Sequence, residues 1–260
     1  MQSPLLTIIT VSGYETSRLI TTLSSLQFLD DRVEHICVIP YDDLAGRKLW
    51  EDNKKAPNSI LVGDSGLGIY EAMNSGARLA SGRNLLFLNA GDELLSETST
   101  NDLIKVLVND NPDLYIFKAS APWAPLQAEN LKEFKRFTLG YSGIFISHQA
   151  TIISKRFFDQ LGGFFEGYRT SADTRLLVQA SYKTTPLIYP LAITLVEFPE
   201  FASKFQKSGR LENLRTIFAV HRGRGFFIAS FNFISRELIS LIQIPFRIFQ
   251  SKISKLDRTE

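Results

Sequence analysis

The stretch Ser59–Glu93, SILVGDSGLGIYEAMNSGARLASGRNLLFLNAGDE, decides how this chain is read. Ile60–Val62 is a short β run closed by Gly63-Asp64-Ser65-Gly66-Leu67-Gly68, a turn-forming cluster. Ile69, Ala72, Met73, Ala77 and Leu79 then recur at helical spacing, with Glu71, Asn74 and Arg78 between them, which predicts one helix stopped by Ser81-Gly82. Leu85–Leu88 is continuously apolar, as a strand covered on both faces requires, and ends in Asn89-Ala90-Gly91-Asp92-Glu93. Strand, helix and strand, each strand ending in a polar loop, make the α/β unit whose ligands lie beyond the carboxyl ends of the strands.

Upstream, Leu5–Val11 reads as a first strand ending in Ser12-Gly13, a helix follows over 16–28, and His35–Ile39 is a second strand running into Pro40-Tyr41-Asp42-Asp43. Residues 44–58 read as polar and irregular. Downstream, a helix is predicted over Thr98–Val108, with Ser96 or Thr98 as its cap, and a strand over Asp113–Lys118. Ala119–Lys135, with Pro122, Trp123 and Pro125, shows no period and reads as a long connection. Tyr141–Ser147 reads as a strand, Ser154–Leu161 as a short helix stopped by Gly162-Gly163, and Thr170 or Ser171 as the cap of a helix through Ala180. Leu187–Val196 gives a last strand or pair of strands interrupted by Pro190. The alternation of strands and helices predicts an α/β sandwich over 1–202.

Composition narrows the class. With 260 residues, 44% hydrophobic and 22% charged, the chain can bury a full core and is not a disordered protein. Its one cysteine, Cys37, lies inside an apolar strand, so it reads as a buried structural thiol, and a disulfide framework is excluded. The first residues, MQSPLLTIITVSG, lack a basic region and read as a core strand and not as a leader; no run reaches some 20 uncharged apolar residues, so no conventional membrane span is expected, and the location expected is cytoplasmic. The net charge of +2 hides an asymmetry: 203–260 holds 11 basic and 4 acidic residues, leaving 18 basic and 23 acidic for 1–202. Two parts with different partners are implied.

Asp64-x-Gly66-x-Gly68-Ile69-Tyr70-Glu71-Ala72-Met73-Asn74-x-Gly76, then Ala80-x-Gly82, then Phe87-Leu88-Asn89-Ala90-Gly91-Asp92, resembles the family 2 glycosyltransferases of GT-A fold. A second ordered block, Ser147-His148-Gln149-Ala150-Thr151 through Phe158, Leu161-Gly162-Gly163-Phe164 and Ala172-Asp173, is similar to that family's later region. The resemblance covers about residues 5–200 and implies an inverting transferase that moves a sugar from a nucleoside-diphosphate sugar to a saccharide acceptor, of the kind that assembles cell-surface polysaccharide. It implies donor contacts from Thr10, Asp42, Asp43, Asp64, Asn74, Asn89 and Asp92, with His148 and Gln149 toward the diphosphate or the acceptor. Asp173 matches the family's base, and a carboxylate in the first turn of a helix is favoured in its charged form. A divalent cation, Mg2+ or Mn2+, is implied at Asp92 to neutralise the departing diphosphate. The family usually places Asp-x-Asp there, whereas this chain has Asn89 and Gly91 at those two positions, and it has Ser12-Gly13-Tyr14 where a Tyr-Asn pair is frequent.

Residues 203–260 read as a basic, helical extension. From Phe226 to Gln250, Asn232, Arg236, Ser240, Gln243, Arg247 and Gln250 form one narrow polar stripe, and Phe227, Phe231, Ile234, Leu238, Leu241, Ile242, Phe246 and Phe249 occupy the rest. With Arg222, Arg224, Lys252, Lys255 and Arg258 flanking it, such a helix suits a membrane interface with anionic headgroups, which makes the protein peripheral on the cytoplasmic face and a lipid-linked acceptor natural. Packing on the catalytic domain or on a partner in a homodimer is the alternative. Nucleic acid is not expected, because the aromatics are all Phe on an apolar face.

Two other functions fit parts of the pattern. Val62–Gly68 mimics the nucleotide loop of an S-adenosylmethionine-dependent Rossmann methyltransferase, although that loop normally follows the first strand and here follows the third. The missing acids at 89 and 91 also suit a non-catalytic sugar-nucleotide-binding protein of transferase fold. No zinc-spaced His/Cys cluster and no Gly-x-Ser-x-Gly are present.

Overall fold

The computed structural model describes residues 3–14, 16–54, 58–121, 126–141, 143–197 and 206–238. Four parallel strands, β1 (Leu6–Val11), β2 (Val33–Pro40), β3 (Asn58–Asp64) and β4 (Asn84–Phe87), lie in the order β3-β2-β1-β4, so their carboxyl ends share one edge. The sheet continues through β9 (Thr151–Ser154), β6 (Leu114–Ser120), β10 (Leu187–Leu195) and β5 (Glu93–Leu94) to eight strands. β9 is antiparallel to both neighbours, β10 is parallel to β6, and β5 closes the edge antiparallel to β10. A separate two-stranded ribbon pairs β7 (Leu126–Gln127) with β8 (Ile144–Phe145).

Period-two alternation sends neighbouring residues of each strand to opposite faces. Ile9, Ile36, Val38, Leu85 and Phe87 pack beneath α3 (Ile69–Leu79), α6 (Lys155–Leu161) and α7 (Ala172–Ser181). Leu6, Ile8, Leu86 and Leu88 meet α4 (Glu97–Asn109) on the other face. Cys37 and Ile39 contact α1 (Thr16–Ser25) and α2 (Leu44–Asn53) through Leu19, Leu23 and Trp50. Cys37 is free and fully buried, and burial pushes its thiol up to about 12, so it is a packing residue.

Several local expectations are corrected. Residues 44–53 form α2 and are not irregular; the Asp43 carboxylate accepts from the Gly46 amide at 2.8 Å and caps it, and Trp50 anchors it. The connection after residue 119 holds β7 and α5 (Leu131–Thr138), the latter capped by the Asn130 side chain; Pro122, Trp123 and Pro125 lie outside the described residues. Among the described residues of Tyr141–Ser147 only Ile144–Phe145 pair, and the strand that enters the main sheet is β9, just downstream. Pro190 does not split β10; it sits where the pairing with β6 shifts register. Gly162 ends α6 as expected, with φ 85°, a left-handed conformation that disfavours a side chain.

The extension is stitched to the domain. α8 (Gln206–Val220) brings in Glu212, 4% exposed, whose carboxylate accepts from the backbone amides of Arg169, Thr170 and Ser171 at 2.8, 3.0 and 3.0 Å, at the entry to α7. A second helix, α9 (223–238), turns its polar stripe inward: Asn232 donates to the Leu139 carbonyl at 2.9 Å and Arg236 reaches the Gly140 carbonyl. Its apolar stripe faces out, with Phe227, Phe231, Ile234 and Leu238 all at least 55% exposed. Residues 239–250 of the expected helix lie outside the described residues. No helix of the described residues is long and apolar enough to cross a membrane.

Candidate active site

The shared strand edge splits into two halves. On the β2–β3 side the loops are open. Asp42, after β2, accepts from the Tyr14 hydroxyl at 2.8 Å, a bond that raises the Tyr14 hydroxyl above its ordinary value and ties the loops after β1 and β2 together. Tyr41 is exposed beside it and lies over Gly63. Asp64 ends β3 and accepts from the Gly66 amide at 2.5 Å, which shapes the turn into α3. Two carboxylates and two exposed tyrosines thus stand at the ends of neighbouring strands.

Beyond β4 the side chains interlock. β9 runs antiparallel to β4, so the 3-10 turn before β9, His148–Ala150, arrives beside Asn89–Asp92. Asp173, in the first turn of α7, receives two side-chain bonds: His148 Nδ1 to Oδ2 at 3.2 Å and the Tyr70 hydroxyl, from the first turn of α3, to Oδ1 at 3.2 Å. Asn89 Nδ2 stands 3.3 Å from His148 Nε2. With the amide donating there, Nε2 is the acceptor and Nδ1 carries the proton that goes to Asp173. Burial pushes Asp173 up, but the hydrogen bonds from His148, the Thr174 amide and the Tyr70 hydroxyl outweigh it, and the carboxyl lies below its ordinary value. An ionised, oriented carboxylate at 20% side-chain exposure can accept a proton from an incoming hydroxyl. Tyr70, desolvated beside this carboxylate, is raised well above 10 and stays a donor.

Asp92 faces a different way. It is 3% exposed, and its two oxygens accept from Gln149 Nε2 at 2.9 Å and the Glu197 amide at 3.0 Å. Burial raises its carboxyl above the ordinary value, against the lowering effect of those two bonds. α1 locks the same turn: the Thr22 hydroxyl donates to the Asp92 carbonyl at 2.7 Å and accepts from the Gly91 amide at 2.9 Å.

Asn89, Asp92, His148, Gln149 and Asp173 therefore come together, while Asp42 and Asp64 stand on the open half of the edge. The other expected residues are engaged elsewhere. Thr10 is fully buried, 3.1 Å from His35 Nε2. Asp43 is the α2 cap. Asn74 is buried and holds the segment after α6, donating to the Phe164 carbonyl and to Glu166 and accepting from the Phe164 amide. The expectation that Asp92 ligates a divalent cation is not met by this geometry: both oxygens are already paired in a nearly dry position, and among the described residues no group of three His, Cys, Asp or Glu stands close enough to hold a metal. The described residues therefore offer no closed protein cage for a cation.

Two contacts are not evident in the sequence. Tyr70 lies inside the quoted motif, so its position is marked though its role is not. Glu212 carries no local signal, because its partners lie 41 to 43 residues away.

The sheet order, the reversed β9 and the strand-edge site define a GT-A glycosyltransferase fold. A mannosyltransferase from Pyrobaculum calidifontis, solved with GDP-Man and Mn2+, superposes with a TM-score of 0.61 at 13% identity, over 98% of this chain and 81% of that one. Residues 1–349 of Staphylococcus aureus TarS with UDP-GlcNAc give 0.60 at 14% identity, over 84% and 68%. At these identities the likeness establishes the fold. No protein-family model matches the sequence. No curated protein matches it either.

Proposed function

We propose that this protein is an inverting glycosyltransferase that moves a sugar from a nucleoside-diphosphate sugar to a saccharide acceptor in cell-surface polysaccharide assembly. The observation that carries the reading is the Asn89–His148–Asp173–Tyr70 chain, which holds an ionised carboxylate beside the end of β4. Neighbours of the same fold are described with UDP-GlcNAc or GDP-Man bound, and this supports a nucleotide sugar as the donor. The nucleoside lies over the open half of the edge, with Tyr14 and Tyr41 as stacking surfaces and Asp42 and Asp64 as acceptors for its hydroxyl groups.

The acceptor hydroxyl attacks the anomeric carbon from the face opposite the leaving group. The bond from that carbon to the phosphate oxygen breaks, the electron pair stays on the diphosphate, and the hydroxyl proton passes to Asp173. His148 and Tyr70 keep both lobes of Asp173 in hydrogen bonds, fixing its direction before the acceptor arrives. A cation at Asp92 is not part of this proposal.

The outward stripe of α9, with the exposed Arg222 and Arg224 at its start, supports peripheral attachment to an anionic membrane on the cytoplasmic face and hence a lipid-linked acceptor. A methyltransferase is disfavoured because the glycine-rich loop follows an edge strand, β3, and not the first strand at the centre of the half-sheet. A thermal-shift screen of sugar nucleotides and S-adenosylmethionine tests the class of ligand: a rise in melting temperature is expected with one or more sugar nucleotides and none with S-adenosylmethionine. The opposite pattern would remove the transferase reading, and donor binding without turnover on any acceptor would favour a non-catalytic binder.

A further inference from the structure

The geometry points to Arg18 as the cation that receives the donor's diphosphate, with the Glu197 carboxylate as the placeholder the diphosphate displaces. This rests on the donor reading above. Gly91 has φ 101°, and a Cβ there would lie 2.2 Å from Glu197 Oε2 and 2.8 and 3.0 Å from Arg18 Nε and Nη2. The space into which an acid at 91 would project is filled by an ion pair, Arg18 Nη2 to Glu197 Oε2 at 2.8 Å. In this conformation, an acidic side chain at 91 and this pair exclude each other. The space beside Gly91 is taken by a carboxylate oxygen of Glu197 and, just beyond it, by the Arg18 guanidinium.

Three further features fit the role. α1, which carries Arg18, is fixed relative to the 89–92 turn, since Thr22 on that helix bonds both Gly91 and Asp92. A cavity of about 410 Å³ opens at the pair, with room for a diphosphate; its charged lining is Arg18, Glu197 and a second carboxylate, Glu93. The pair is reachable, with side chains 37% and 49% exposed, so an incoming anion can exchange with Glu197 without a buried ion pair being broken. A guanidinium grips two phosphate oxygens at once, and the diphosphate carries more charge than the carboxylate it replaces. Charge neutralisation that a metal ion would supply then comes from the protein, consistent with each Asp92 oxygen already accepting a hydrogen bond.

Calorimetric titration of UDP, GDP and their monophosphates into the full chain, in EDTA and again with MnCl2, tests this. Diphosphate is expected to bind in EDTA with an affinity that manganese changes less than about threefold. Arg18→Ala should weaken diphosphate at least tenfold and monophosphate much less, while Glu197→Gln should tighten diphosphate severalfold. A merely structural salt bridge would move both variants in the same direction. Binding of diphosphate that requires manganese, or an Arg18→Ala variant with wild-type affinity, overturns the inference while leaving the donor reading intact. No binding of any nucleotide to the folded protein in either buffer overturns both.

Discussion

The two halves of the strand edge are built on opposite principles. At the ends of β1, β2 and β3, Tyr14, Tyr41, Asp42 and Asp64 are open to solvent and held by single hydrogen bonds or by turn geometry. Beyond β4, Asn89, Asp92, His148, Gln149, Asp173 and Tyr70 come from four separate segments and fix one another. The open half can adapt to a nucleoside, whose recognition tolerates side-chain motion. The interlocked half fits a reacting centre, where small displacements of a base cost rate. On the proposed function, the difference separates residues that set affinity from those that set turnover.

The comparison is broken most severely at Asp173. Asp173→Asn is expected to lower kcat by about 10²–10⁴-fold while donor affinity, measured by calorimetry, changes little. Because the carboxyl lies below its ordinary value of 3.8, an acid limb of the rate profile arising from it should fall below that pH. A limb near pH 6 would assign the titration to another group.

Beneath the open half, His35 supplies a test of stability. It is 1% exposed, and burial lowers it from 6.5 to about 4, so it is neutral in the folded chain. The stability this contributes is fully present above pH 6.5 and is lost as pH falls toward 4, because the unfolded chain then binds a proton that the folded chain does not. The loss should approach ~3 kcal/mol, since each tenfold change in proton affinity is worth about 1.4 kcal/mol. Urea unfolding at pH 7 and pH 4.5 measures it, and His35→Gln should flatten the difference.

Asp92→Ala leaves Gln149 Nε2 and the Glu197 amide without acceptors in a buried place and should cost about 1–3 kcal/mol in the same assay. Asp42→Ala on the open half should leave the melting temperature within a degree or so of wild type and weaken donor binding by less than about tenfold, since exposed polar groups contribute about 1 kcal/mol each. If Asp42→Ala destabilised the fold more than Asp92→Ala, the contrast between the halves would fail.

How much of this is legible in the sequence follows from how each residue acts. β1 to β4 and their loops are readable because continuous apolar runs ending in Gly and Asp leave few other structures. α2 is not, because its burial rests on Gly46 and Trp50 alone and its start on the Asp43 cap. β9 is four residues long and buried throughout, so neither length nor alternation announces it. Asp173, His148 and Asn89 are marked by the motifs that carry them. Their mutual bonds are not, since these depend on β9 running antiparallel to β4. Glu212 and the Arg18–Glu197 pair are long-range, set by where α8 and the end of β10 come to lie, and no local spacing encodes them.

On the proposed function, this strand edge performs glycosyl transfer with inversion. Its most direct test is nuclear magnetic resonance of the sugar product formed from an α-linked nucleoside-diphosphate donor. The product is expected to be β-linked, with nucleoside diphosphate released in equal amount. A product that keeps the α configuration, or donor that binds and is never consumed across a panel of saccharide acceptors, would contradict it.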